Sequence, residues 1–154
     1  MYILSMNNNL FKIENRRYLG NKNKLLEHIQ KLILSKVKNY KTFLDLFSGT
    51  GVVSSRFNEK NNKIISNDIL ESNFLINKTF LYLKKRPRKI QDKIIFLNNL
   101  KSSEENYFSK NFGGKYFSKS IAKRIGAIRD EIDIISENLD EKIILITSLI
   151  FAFD

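Results

Sequence analysis

The stretch Phe43-Leu44-Asp45-Leu46-Phe47-Ser48-Gly49-Thr50-Gly51 constrains the chain most. Thr42 to Phe47 is short, apolar and ended by turn-forming residues, which suits a buried strand, and Val52 to Phe57 opens a helix. An acidic residue at a strand end, followed by a Gly-x-Gly turn into a helix, is a recognisable device. The glycines remove side chains so that backbone approaches a nucleotide-like ligand, and the N–H groups of the helix start face it. Alone the pattern also describes an ordinary tight turn. A second acid, in Asn67-Asp68-Ile69, follows the next predicted strand, Lys63 to Ser66. A carboxylate placed there can accept from both ribose hydroxyls of an adenosyl group, with Ile69 lying against the adenine. Asp68 also suits a helix N-cap, and the two roles are compatible.

Periodicity fills in the rest. Residues 1–15 read as a loose leader, and Leu25, Leu26, Ile29, Leu32, Ile33 and Val37 define a helix over 22–38. Leu70 to Lys84 reads as a second crossover helix, so strand and helix alternate and imply an α/β fold with a parallel sheet. Lys84-Lys85-Arg86-Pro87-Arg88-Lys89 holds the single proline and reads as a basic loop. Ile94 to Leu97 fits a third strand or a helix start equally well. Residues 99–118 look irregular, 118–137 helical, and Ile143 to Phe153, after a cap at Asp140, forms a helix apolar nearly all round. Three segments result: a leader (1–15), a nucleotide-binding part (16–98) and a helical part (99–154). Two or three strands do not complete a doubly wound sheet. An exposed sheet edge and the apolar last helix suit a fragment, or a chain that needs a partner.

Composition excludes several chemistries. Zero cysteines remove disulfides, thiolate zinc sites and thiolate attack on a cytosine ring, and the single histidine, His28, leaves imidazole metal sites hard to assemble. We expect no metal. There is no long apolar run and no secretory signal pattern, so no membrane association is expected and a cytoplasmic location is the default. The net charge of +11 favours polyanions, although the abundance of Lys, Asn and Ile accounts for part of it as coding bias. Lys84, Lys85, Arg86, Arg88 and Lys89 are candidate phosphate contacts, as are Lys119, Lys123, Arg124 and Arg129. Tyr107, Phe108, Phe112, Tyr116 and Phe117 interleave with Lys110 and Lys115, which fits base stacking or the anchoring of a loop to a core.

Two cofactors remain open on the glycine turn and Asp68 alone. Ser54 stands where a nicotinamide-dinucleotide turn places its third glycine, which disfavours that cofactor, and no Gly-Lys-Ser or Gly-Lys-Thr follows to make a phosphate loop. The deciding element lies upstream, in Arg17-Tyr18-Leu19-Gly20-Asn21-Lys22. This segment, then Asp45 to Gly51, then Asn67-Asp68-Ile69, resembles the DNA adenine methylase family of N6-adenine-specific methyltransferases. Tyr116-Phe117-Ser118 and Ala122 to Arg129 are similar to a segment of one branch of it.

The resemblance implies a Rossmann-like S-adenosylmethionine-dependent methyltransferase fold with an incomplete parallel sheet and a helical C-terminal segment. It assigns Tyr18 and Lys22 to cofactor contact, Asp45 through Gly51 to the methionine side with Phe47 shaping the pocket, and Asp68 to the ribose. It implies double-stranded DNA as partner. The family's Asp-Pro-Pro-Tyr segment polarises the exocyclic amine and stacks on an adenine flipped from the duplex. Here Pro87 stands between Arg86 and Arg88, so that segment is missing and no catalytic residue is assigned. The expectation is a cofactor-binding N-terminal part, either truncated or completed by a second polypeptide. The alternative is a catalytically inactive DNA-binding or partner subunit of a restriction-modification system.

Overall fold

A computed structural model describes residues 22–58, 62–83 and 85–153. The chain divides into two compact units, one ending at Lys85 and one spanning Arg86–Phe153.

In the first unit a 3-10 turn, Lys22–Leu25, leads into α1 (Leu26–Lys36), then β1 (Thr42–Asp45), α2 (Val52–Arg56), β2 (Lys63–Ser66) and α3 (Glu71–Asn77), which runs on as a π-helical turn, Lys78–Tyr82. The strands are parallel, with Thr42 opposite Lys63 and Asp45 opposite Ser66. Alternation along β1 turns Phe43 inward and leaves Leu44 53% exposed. Phe43 stacks on Phe57 with ring centres 4.4 Å apart, and Tyr40 meets both rings edge-on. Val52, Val53, Phe57 and Ile64 form the core, and Leu26, Ile29 and Ile33 of α1 pack on it. The apolar stripe predicted for this helix is therefore narrower than expected. Leu25 and Leu32 are more than half exposed.

The outward edge of β2 is occupied. Tyr82 accepts from the Ser66 N–H (2.9 Å) and donates to the Ile64 carbonyl (3.1 Å), so on this side the expected open edge is capped. Among the described residues the architecture is mixed α/β with a two-stranded parallel sheet and mostly helices.

The second unit is helical: α4 (Ile90–Asn99), α5 (Tyr107–Phe112), α6 (Lys119–Ile135) and α7 (Leu139–Phe151). The Ile94 to Leu97 ambiguity resolves as helix. Ile90 and Leu97 are buried, and Lys93, on the same face, reaches Glu141 of α7 at 2.6 Å and Glu137 at 3.1 Å. The stretch expected to be irregular contains α5, started by a capping box in which Asn106 and Ser109 each accept the other's backbone N–H. Phe108, Phe112 and Phe117 cluster, and Phe153 meets Phe117 edge-on. The phenylalanines anchor the loop, while Tyr107 and Tyr116 are more than three-quarters exposed.

The cap of α7 is Asn138, whose side chain accepts from the Glu141 N–H at 3.0 Å. Asp140, the predicted cap, lies inside the first turn, where its charge favours the helix dipole instead. Ile143, Ile144 and Leu145 are buried, as an all-round apolar helix requires.

Candidate cofactor site

The site forms at the carboxyl ends of β1 and β2, where the first unit laces its two strand-to-helix turns together. Asn67 does most of the lacing. Its N–H donates to the Asp45 carbonyl (2.8 Å) and its side-chain amide to the Leu46 carbonyl (3.0 Å). Its own carbonyl accepts from the N–H (2.9 Å) and hydroxyl (3.0 Å) of Ser48. Both glycines of the turn are left-handed, Gly49 at φ 52° and Gly51 at φ 77°, conformations that a side chain would strain. Gly51 N–H closes the turn on the Ser48 carbonyl at 2.8 Å and also stands at the N-cap of α2.

Asp68 meets this turn directly: the Gly49 N–H donates to Asp68 Oδ2 at 2.8 Å. Its other oxygen, Oδ1, accepts from the Leu70 N–H and from the Asn73 side-chain amide, both at 3.0 Å. The N-cap position of α3 belongs to Leu70, so Asp68 acts as a turn-former rather than the cap. Partial burial pushes the Asp68 carboxyl up, yet the hydrogen bonds from Asn73, Leu70 and Gly49 and the Lys22 charge outweigh it, holding the group below the ordinary 3.8. The carboxylate therefore stays ionised, and with Oδ1 already accepting two hydrogen bonds and Oδ2 one, the remaining acceptor site lies on Oδ2.

Lys22 joins from the 3-10 turn, its Nζ donating to the Phe47 carbonyl at 3.2 Å. Phe47 and Ile69, the residues that border the two turns, are 80% and 97% exposed. Each turn thus carries one large apolar side chain open to contact, with no hydrogen-bonding group of its own. Asp45 is turned elsewhere. Its Oδ2 accepts from the hydroxyl of Ser54 at 2.9 Å, and Ser54 is fully buried. Ser54, at the position of a dinucleotide turn's third glycine, is thus a support for the first acid.

Of the residues predicted for this site, Lys22 is hydrogen-bonded to Phe47, and Gly49 to Asp68. Gly51, Asp45 and Ile69 adjoin them in the same turns, and Tyr18 lies outside the described residues. Sequence reasoning missed Ser54, Asn67, Asn73 and Asn77. The i, i+4 spacing of Asn73 and Asn77 along an apolar helix was the available signal for the last two. Of the basic stretch, Lys84 is outside the described residues, Lys85 ends the first unit, and Arg86, Arg88 and Lys89 begin the second. Arg86 is half-buried and donates to the Gln91 side chain, whereas Lys85, Arg88 and Lys89 are exposed. Among the described residues no cluster of three or more His, Cys, Asp or Glu is placed to hold a metal, and no helix is long and apolar enough to cross a membrane.

The chain is 33% identical over 131 residues to the type II methyltransferase M.FokI of Planomicrobium okeanokoites, an alignment covering 73% of this chain and 20% of that protein. It is 28% identical over 125 residues to the type II methyltransferase M.NlaIII of Neisseria lactamica, covering 75% of this chain and 37% of the relative. The modification methylase LlaI of Lactococcus lactis subsp. lactis is 38% identical over 72 residues, which is 47% of this chain and 11% of the relative. The chain thus spans from about a tenth to just over a third of the length of these relatives. No solved structure matches it significantly. The family model for the D12 class N6 adenine-specific DNA methyltransferases matches residues 18–152, nearly the whole chain, and the chain belongs to that family.

Proposed function

We propose that the first unit holds S-adenosylmethionine and that this chain is the cofactor-binding part of an adenine-N6 DNA methyltransferase of restriction-modification type. The observation that carries the reading is the hydrogen bond from Gly49 N–H to the Asp68 carboxylate, because it unites the glycine turn and the distal acid in one site. The donor set suits an adenosyl group. Asp68, ionised, offers its open Oδ2 site to the ribose hydroxyls, Ile69 lies against the base, Phe47 shapes the pocket, and the left-handed backbone at Gly49 and Gly51 lets the methionine portion approach. Asp45 shapes the turn through Ser54, Lys22 reaches the turn at the Phe47 carbonyl, and Tyr18 is the further cofactor contact that the family resemblance assigns. When bound, the cofactor supplies a methyl group from sulfonium sulfur to the exocyclic nitrogen of adenine, which loses a proton.

The family's Asp-Pro-Pro-Tyr segment is not in these residues, so no catalytic residue is assigned to the chain. A second polypeptide finds no support in the comparisons. The substrate is double-stranded DNA, with Lys84, Lys85, Arg86, Arg88 and Lys89 as phosphate contacts, and the site of action is the cytoplasm. The net charge of +11 favours one second reading, a DNA-binding subunit without turnover.

Calorimetry separates the two. The folded chain should bind S-adenosylmethionine, and Asp68→Ala should weaken it by about tenfold or more, roughly 1.4 kcal/mol. Folded protein that ignores the cofactor, yet binds duplex with a steep salt dependence, rejects the first reading in favour of the second.

A further inference from the structure

Resting on that reading of the site, we propose that Asn73 and Asn77 are positioning residues that hold the two halves of the cofactor site to a single helix. They stand four residues apart on α3 and its end, and both are buried, at 0% and 3% exposure. Asn73 donates its side-chain amide to Asp68 Oδ1 at 3.0 Å. Asn77 donates to Ser48 Oγ at 2.8 Å and, more weakly, to the Gly49 carbonyl at 3.4 Å. One amide therefore grips the distal acid and the other grips the glycine turn.

The direction of these bonds is set by their neighbours. The Ser48 hydroxyl gives its proton to the Asn67 carbonyl, so toward Asn77 it acts as an acceptor. Asp68, ionised, only accepts. Both sites thus require a donor, which an amide supplies and neither Leu nor Asp does.

Packing alone gives no reason for amides here. Asn is a poorer helix former than Leu, and burying an amide is unfavourable unless it is bonded. Ile76 and Phe80, also buried, show that this part of the helix accepts apolar side chains. Asn77 leaves its Oδ1 buried without a partner among the described residues, a cost that an apolar residue avoids. The arrangement becomes intelligible if the amides serve the site.

The π-helical turn that follows completes the device. It carries Tyr82 to its two hydrogen bonds on β2, so the helix is tied to the strand while its asparagines reach the turns that leave the sheet. Single π turns recur at functional sites for this reason, since they rephase a helix locally.

The test is calorimetric S-adenosylmethionine binding by the full chain, across pH, for Asn73→Leu, Asn77→Leu and the control Ile76→Ala, with thermal melting to confirm folding. Ile76 is as buried as the asparagines but is not part of the site. Each leucine variant should bind at least tenfold more weakly while folded. Asn73→Leu should also raise the pH at which binding is lost on acidification, because Asp68 loses a donor. Ile76→Ala should lower the melting temperature and change the affinity of the folded protein less than twofold. Leucine variants that bind as the parent does, with an unmoved acid limb, overturn the proposal while leaving the cofactor reading intact. A parent chain that does not bind refutes both. If a leucine variant does not fold, the alanine variant removes the same donor and decides by the same two readouts.

Discussion

Gly126 offers a test in which helix propensity and tertiary structure predict opposite signs. It lies inside α6 and is buried, so by propensity alone Gly126→Ala should stabilise by about 1 kcal/mol. The added Cβ, however, would run into the side-chain amide of Asn106, closest to its Oδ1 and 2.6 Å from its Nδ2. That amide is committed twice. Its oxygen accepts the Ser109 N–H at 2.9 Å to cap α5, and its nitrogen donates to the Lys123 carbonyl of α6 at 2.7 Å. Evicting it forfeits a cap worth about 1 kcal/mol and a hydrogen bond worth about 1 kcal/mol, and crowding adds roughly 1 kcal/mol more. The net expectation is a loss of about 2 kcal/mol and a melting temperature lower by about 4–8 °C. In an Asn106→Ala background the obstruction is gone, and the same substitution should then stabilise by about 1 kcal/mol. Urea unfolding of the four proteins gives the coupling, about 3 kcal/mol. If Gly126→Ala stabilises the parent chain, or the cycle shows no coupling, the joint between α5 and α6 is wrongly understood.

Glu141, 6% exposed and bonded to Lys93, should be costly to truncate: Glu141→Ala is expected to lose about 2–3 kcal/mol in urea unfolding, because Lys93, 13% exposed, keeps only the more exposed Glu137 as its ion pair and the Glu137 N–H loses its acceptor. Its hydrogen bond from Lys93 outweighs burial and holds its carboxyl below the ordinary 4.5, while the bond to Glu141 holds Lys93 above 10.5. Their contribution should therefore be full between those two ordinary values. It should fade as pH falls through the folded carboxyl pKa and as pH rises through the folded ammonium pKa, in unfolding curves measured across pH. Asp133, 46% exposed and bridging Arg129 and Lys142 at 2.8 Å each, is the contrast. Asp133→Asn should change stability by less than about 1 kcal/mol, and a loss as large as that for Glu141 would contradict the distinction drawn from burial. Gly51→Ala, forcing a side chain onto φ 77°, should cost about 1–2 kcal/mol by the same assay, and a neutral outcome would place that residue outside the left-handed region.

The two strands were legible because short apolar runs ended in residues with one conformational purpose: Ser48 to Gly51 after β1, Asn67 and Asp68 after β2. That the glycine turn and Asp68 share one end of a parallel sheet was legible too, whereas their direct hydrogen bond was not. What stayed hidden was long-range and polar. Asn73 and Asn77 look like solvated helix residues until Asp68 and Ser48 are placed beside them. Ser54 looks like a missing glycine until its hydroxyl is seen to meet Asp45. The start of α5 escaped because Asn106 and Ser109 cap reciprocally only once Gly126 makes room, and α7 was given a cap two residues late because Asn138 and Asp140 are equally good cap formers in isolation.

The tyrosine hydroxyl on β2 has a consequence for how this sheet can grow. A phenol that both accepts from Ser66 and donates to Ile64 imitates one residue of a neighbouring strand, and it satisfies the groups through which chains recruit one another into unwanted β-assemblies. Any strand arriving on that flank must first expel Tyr82, forgoing about 2 kcal/mol of hydrogen bonding before it gains its own. Sheet extension past β2 is thus gated by a single aromatic side chain, and Tyr82→Phe would open the gate while leaving the ring in place.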